Sequence, residues 1–324
     1  FEALVEPYFL GDSYGYRPGK SAHQALEITR KRCWRYDWAL EFDIRGLFDN
    51  IDHQLLMKAV KKHTDNPWLL LYIMRWITAP VQQADGSVVA RDKGVQQGGV
   101  ISPVLSNLFM HYAFDAWITR EYPDNPWCRY ADDGLAHCRT QAEAEQLRAA
   151  LEERLHECGL EMHPVKTKIV YCKDDDRRGL FSVTSFDFLG FTFRARRSKN
   201  KRGKHFINFS PAMSNSAGKA IRQEVRSWSI PKRSDKSIED LSHMFSAKIQ
   251  GWINYYGRFY RSQMYMTLRH INLKLVWWAW RKFKKLYGHR RRAEHWLGRV
   301  AKRLSFTVSS LADGVIANGW VMGA

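Results

Sequence analysis

Two adjacent acids, Asp132 and Asp133, stand in RYADDGLAHC (129–138) between flanks rich in strand-forming residues. That pattern predicts a β-hairpin with the acid pair at its tip. Like charges this close repel unless something positive sits between them. A third acid, Asp43, ends the buried strand expected in WALEFDIRGLF (38–48), where a carboxylate is costly unless paired or metal-bound. Acids on separate strands can jointly hold two Mg²⁺ ions, which take oxygen ligands and keep substrate phosphates in their remaining positions. For the Asp-Asp pair alone, an ordinary type I′ hairpin with Asp in the turn is the simpler explanation. Asp43 and the elements between favour the metal.

Charge separates the chain into two halves. Residues 191–324 carry 28 Lys and Arg against 6 Asp and Glu, whereas residues 1–190 carry 23 against 27. A basic half with interleaved aromatics, as in GWINYYGRFYR and LVWWAWRKFKKLYGHRRR, is the expected footprint of a nucleic-acid binder. A solvated helix face over an aromatic core is the alternative. With 324 residues and 45% hydrophobic content the chain can bury one sizeable core or two. Its apolar runs fall short of the roughly 20 residues that cross a bilayer, and it opens with no signal peptide, so no membrane partner is expected. Five cysteines without a C-x-x-C pair suit reduced thiols, hence a cytoplasmic, intracellular setting. The first residue is Phe1 rather than Met, so a preceding segment is expected.

A coarse pass predicts an α+β first half. HQLLMKAVKKH (53–63) has the period of an amphipathic helix, Asp85-Gly86 signals a hairpin, and VISPVLSNLF begins a helix with Ser102 as N-cap and Pro103 in the first helical position. A long helix is expected from about 141 to 158, closed by Gly159, followed by short strands in LEMH, TKIVYC and FDFLGFTF. A basic hairpin or linker then leads to a helical C-terminal region.

The order strand, helix, helix, acidic hairpin resembles the palm of polymerases. SYGYRPGKSAHQAL, FDIRGLFDNIDH, GVQQGGVISPVLSNLF, YADD, GLEMHPVKTKIVY and FDFLGFTF resemble, in order and spacing, the successive motifs of group II intron reverse transcriptases. KIQGWINYYGRFY resembles their thumb or maturase domain, so the similarity covers nearly the whole chain. It implies an α+β right-hand polymerase fold with a ferredoxin-like palm: partial fingers and palm over 1–195, the basic hairpin or linker over 196–209, and an α-helical thumb/maturase RNA-binding domain over 210–324. The implied activity is RNA-directed DNA synthesis by two-metal nucleotidyl transfer with two Mg²⁺, for which Mn²⁺ can substitute. Implied partners are structured intron or template RNA, a primer-template duplex and deoxynucleoside triphosphates. Help in intron splicing and retromobility follows from the same resemblance. A group II-like host enzyme in defence, repair or CRISPR spacer acquisition, with host or CRISPR partner proteins, and a splicing-only RNA-binding maturase are the alternatives.

By that resemblance Asp43, Asp132 and Asp133 are the catalytic acids and metal ligands, with the Ile44 backbone near the second metal. Phe48 matches the aromatic residue that packs on the sugar of the incoming nucleotide and excludes a 2′-hydroxyl; a plain core residue is the alternative. Gln97 and Gly98 match the element that approaches the nascent pair, although Gln96 stands where the family has proline. Lys166 matches a lysine that acts as general acid toward pyrophosphate, or is a solvated turn residue. Arg17 and Lys20 match a fingers motif close to the triphosphate or template, or brace their own loop. FDFLGFTF resembles the primer grip or is strand core, and Asn107 could as easily be structural. The family's first fingers motifs and a C-terminal endonuclease are not matched.

Overall fold

The computed structural model describes residues 1–200 and 202–304. Helices α1 (Glu2–Val5) and α2 (Ala22–Cys33) precede strand β1 (Trp38–Asp43), which leads into α3 (Leu47–Asn50), α4 (His53–Lys61) and α5 (Pro67–Thr78). The hairpin β2 (Val81–Gln82) and β3 (Val88–Val89) is followed by α6 (Ser102–Met110), a π-helical segment His111–Asp115 and α7 (Ala116–Glu121). Next come β4 (Trp127–Tyr130), β5 (Asp133–Cys138), α8 (Gln141–Glu157), β6 (Lys168–Tyr171), β7 (Ser185–Phe188), β8 (Phe191–Lys199) and β9 (His205–Met213). Helices α9 (Asn215–Ser227), α10 (Ile238–Tyr256), α11 (Tyr265–Lys282) and α12 (Arg290–Leu304) complete the described residues. Two compact units result: Phe1–Leu189 with Arg194–Phe209, and Gly190–Phe193 with the residues from Ser210 onward.

In the first unit the sheet runs β4-β5-β1-β6, and every adjacent pair is antiparallel. Helices α4 to α7 connect β1 to β4, and α8 connects β5 to β6, which is the ferredoxin-like arrangement of a polymerase palm. Central strand β1 is buried at five of its six positions, so it reads as a near-continuous apolar run. Leu40, Phe42, Leu105, Phe114, Leu147 and Leu151 pack into one core beneath it. Thr140 starts α8 with a reciprocal capping box to Glu143, and Gly159 follows its end with φ +71°.

Several local expectations are corrected. Ser102 and Pro103 lie one step further into α6, whose N-cap is Ile101. LEMH is no strand: Met162 makes a single bridge to Ile44. FDFLGFTF is two strands, β7 and β8, because Leu189 and Gly190 both take positive φ, +50° and +76°, and reverse the chain. The basic stretch after it is the hairpin of β8 and β9.

The second unit is helical. Trp278, Leu275, Ile249 and Val225 are buried in its core, and Trp228 stacks on Phe245 at 4.3 Å and on Trp252 at 5.5 Å. These rings therefore serve packing, while Arg281, Lys284, Lys285, Arg291 and Arg292 stay exposed. Among the described residues no helix is long and apolar enough to cross a membrane.

Candidate active site

The β1–β5 register places Asp43 opposite Asp133, with Phe42 opposite Gly134. A Cβ on Gly134 would meet the tip of the Phe42 ring at 2.1 Å, so only glycine leaves room for that ring beside the acids. Ala131 and Asp132 form the two-residue connection between β4 and β5. Asp43 is 7% exposed, and its carbonyl accepts from the His163 amide at 2.8 Å, which fixes the end of β1. Ile44, fully buried, is held by its bridge to Met162.

Electrostatics in this corner are strained. Burial, then the charges of Asp132 and Asp43, push the Asp133 carboxyl up to about 7. Burial, with the Asp43 charge adding, raises Asp132 as well. Lys166 answers part of this charge: its Nζ lies 2.9 Å from Asp43 Oδ2, and that hydrogen bond raises the ammonium's own pKa. A cavity of about 410 Å³ opens here, with Asp43, Asp133 and Lys166 in its wall. Glu41, Lys168 and Asp187 line it too, residues that sequence reasoning passed over; the alternation of β1, which puts Glu41 on the face of Asp43, was the available signal.

The expected substrate-side residues divide. Phe48 packs against the core yet stays partly exposed, and the Tyr16 ring meets it edge-on at 6.4 Å. Gln97 donates from Nε2 to both Asp49 carboxylate oxygens at 3.0 and 3.2 Å, and the Val95 amide donates to the Phe48 carbonyl. The Gln97-Gly98 loop is thereby tied to the turn that carries Phe48, with Gly98 at φ +83°. Arg17 and Lys20 do brace their own loop. The Arg17 side chain is 6% exposed, its guanidinium pairs with Glu6 and donates to the Leu10 and Ser13 carbonyls, and Lys20 Nζ donates to the Gly11 carbonyl at 2.8 Å.

Residues 2–193 match the family of reverse transcriptases (RNA-dependent DNA polymerases), which is more than half of the chain. The chain belongs to that family. Residues 218–296 of this reverse transcriptase match the group II intron, maturase-specific domain. YkfC of Escherichia coli strain K12 is 30% identical over 240 residues, covering 61% of this chain and 59% of YkfC. The group II intron-encoded protein LtrA of Lactococcus lactis subsp. cremoris is 32% identical over 110 residues, 34% of this chain and 18% of LtrA. The chain thus spans less than two thirds of either relative. Among solved structures, apo telomerase from Candida Tropicalis aligns with a TM-score of 0.49 and 13% identity over 95% of this chain and 58% of that one.

Reverse transcriptases use divalent metal ions. Among the described residues no three His, Cys, Asp or Glu side chains converge closely enough to hold one as they stand, and Lys166 provides the neutralising charge. The donor set nevertheless fits: Asp43, Asp132 and Asp133 offer only carboxylate oxygens, two of them with raised pKa values that mark poorly compensated negative charge. Hard divalent cations take such ligands.

Proposed function

We propose that this protein extends the 3′-hydroxyl of a primer on an RNA template with deoxynucleoside triphosphates, and that its C-terminal unit grips structured RNA of the group II intron kind. The observation that carries this is the pairing of Asp43 with Asp133 across β1–β5, with Asp132 in the adjoining turn and Lys166 hydrogen-bonded to Asp43. Asp43, Asp132 and Asp133, with the Ile44 backbone beside them, would hold two divalent cations, Mg²⁺ or Mn²⁺. When bound, such ions lower the pKa of the attacking hydroxyl and neutralise charge on the leaving pyrophosphate.

The chain's own groups do the rest. Phe48, partly exposed beside the acids' strand, would exclude a 2′-hydroxyl with its ring and so favour a DNA product. Gln97 and Gly98, anchored through Asp49, face the nascent base pair. Lys166 carries a proton that can pass to the departing pyrophosphate.

Primer extension with Asp43→Asn and Asp132→Asn proteins tests this reading. Each should lose at least about 1,000-fold in kcat/KM while keeping its affinity for structured RNA, because only the transition state uses the lost charge. Substantial extension by either variant under Mg²⁺ would sink the assignment.

A further inference from the structure

Behind the acidic turn lies a guanidinium that is fully buried. Arg129, in β4, spends all five of its N–H donors: Nε and Nη2 on the two Asp115 oxygens at 2.7 Å each, Nη2 also on Ser13 Oγ at 2.9 Å, and Nη1 on Asn107 Oδ1 at 3.1 Å and the Ala131 carbonyl at 3.0 Å. Asp115 is equally buried, at the end of the π-helical segment. An ion pair so deep seldom adds stability over an apolar replacement of similar volume, so its geometry is the property to explain.

That geometry converges on one residue. Ala131, immediately before Asp132, has φ +58°, a left-handed conformation that alanine disfavours. Two contacts hold it there. Arg129 Nη1 takes its carbonyl, and its amide nitrogen packs against Gly15, where a Cβ would come within 2.4 Å. Asn107 closes the ring, donating from Nδ2 to the Gly15 carbonyl at 2.8 Å while its Oδ1 accepts from Arg129. The same strand edge is pinned by the Tyr14 amide, which donates to the Arg129 carbonyl at 2.8 Å.

We propose that Arg129 is a positioning residue for the polymerase site: with Asp115 and Asn107 it holds Ala131 left-handed and so sets the direction in which Asp132 presents its carboxylate. The inference rests on the proposed polymerase function. Its mechanism is indirect. Arg129 is shut away from substrate, and its effect passes through the backbone of a single residue.

The test compares Arg129→Lys, Asn107→Ala and Arg129→Lys combined with Ala131→Gly in the full chain. Lysine keeps the charge but cannot reach Asp115, Asn107 and Ala131 together. Arg129→Lys should lower kcat at least about 100-fold, at a size typical of a misplaced reacting group, with primer-template affinity retained and the Mn²⁺ concentration for half-maximal extension raised. Glycine at 131 takes a positive φ without cost, so the double variant should recover about tenfold of that loss. The rise in melting temperature that Mn²⁺ produces in the parent protein should shrink in both single variants. Asn107→Ala leaves the Arg129–Asp115 pair in place and carries the test if the lysine variant does not fold. Activity lost only in proportion to the folded fraction, with metal dependence unmoved and no gain from Ala131→Gly, would overturn the proposal. A parent protein that fails to extend any primer refutes the polymerase reading, while the Mn²⁺ melting shift still decides whether Arg129 orients the acids.

Discussion

Asp43 and Asp133 face each other across the β1–β5 ladder, and the Lys166 ammonium sits 2.9 Å from Asp43 on the open side of the pair. One cation therefore serves two carboxylates, of which burial has already made Asp133 expensive to ionise. Replacing Lys166 by Met removes both its charge and its transferable proton. The expected result is a kcat for extension lower by about 100-fold to 1,000-fold, within the usual range for a lost general acid. Primer-template affinity should change less than about twofold, since the side chain is 59% exposed. Pre-steady-state single-nucleotide addition separates the two quantities; a weakened affinity with unaltered kcat would assign Lys166 to substrate binding instead.

The acids were legible in combination: the Asp-Asp pair alone suits an ordinary turn, but a carboxylate closing an apolar strand is costly, and the two together point to a shared cation. The periods of the first half gave its strands and helices, and the ferredoxin-like order came from the resemblance of its motifs to group II intron reverse transcriptases. What stayed hidden depends on tertiary partners. Asp115 reads as an ordinary helix residue, yet it is buried because Arg129 arrives from β4 to pair with it. For Arg17 the sequence left two readings, near substrate or bracing its own loop, and the carbonyls that enclose it decide for the loop. The break in FDFLGFTF was missed because Leu189 takes the left-handed conformation that its side chain gives no reason to expect. In the basic half, composition could not say which aromatic rings pack inward.

Acid should destabilise the palm unit through His137. This imidazole is fully buried in β5, and neither ring nitrogen has a hydrogen-bond partner. Burial, reinforced by the Arg32 charge, pushes its pKa down from 6.5 to about 3. The unfolded chain therefore binds a proton below about pH 6.5 that the folded chain refuses until about pH 3. Stability is complete above the upper value and falls as pH drops through that window, by up to roughly 1.4 kcal/mol per pH unit. His137→Leu should flatten the dependence of urea midpoint on pH between 6.5 and 4, and an unchanged slope would mean that the acid sensitivity lies elsewhere.

RNA binding by the helical unit should be electrostatic. Arg291 and Arg292 are exposed at the start of α12, and Lys284 and Lys285 are exposed just before it. Each side chain that neutralises a phosphate releases counterions, which steepens the fall of log K with log salt by roughly 0.7 to 0.9. Changing Arg291 and Arg292 together to Gln should flatten the slope for structured RNA by about 1.5 while leaving primer extension at saturating template intact. Fluorescence anisotropy across a salt series measures it; a slope equal to that of the parent would place the RNA contacts on another face.

Phe48 is the proposed sugar gate, and the structure leaves it both packed and accessible. One side of the ring rests on the core, while Tyr16, 54% exposed, meets it edge-on at 6.4 Å. The Val95 amide and the Gln97–Asp49 hydrogen bonds fix the turn that carries it. Phe48→Val shortens the side chain on its exposed end. If the ring is the steric gate, kcat/KM for ribonucleotides should rise by about 10-fold to 100-fold and deoxynucleotide use should fall only modestly, because discrimination is a ratio of transition-state affinities. If the ring is mainly core, the same truncation should cost about 1 to 3 kcal/mol and depress both substrates together. Single-nucleotide extension with matched ribo and deoxy substrates, beside a denaturant melt, separates the outcomes. An unchanged selectivity ratio in a folded variant removes Phe48 from sugar selection and leaves Tyr16, the next ring outward, as the residue to change.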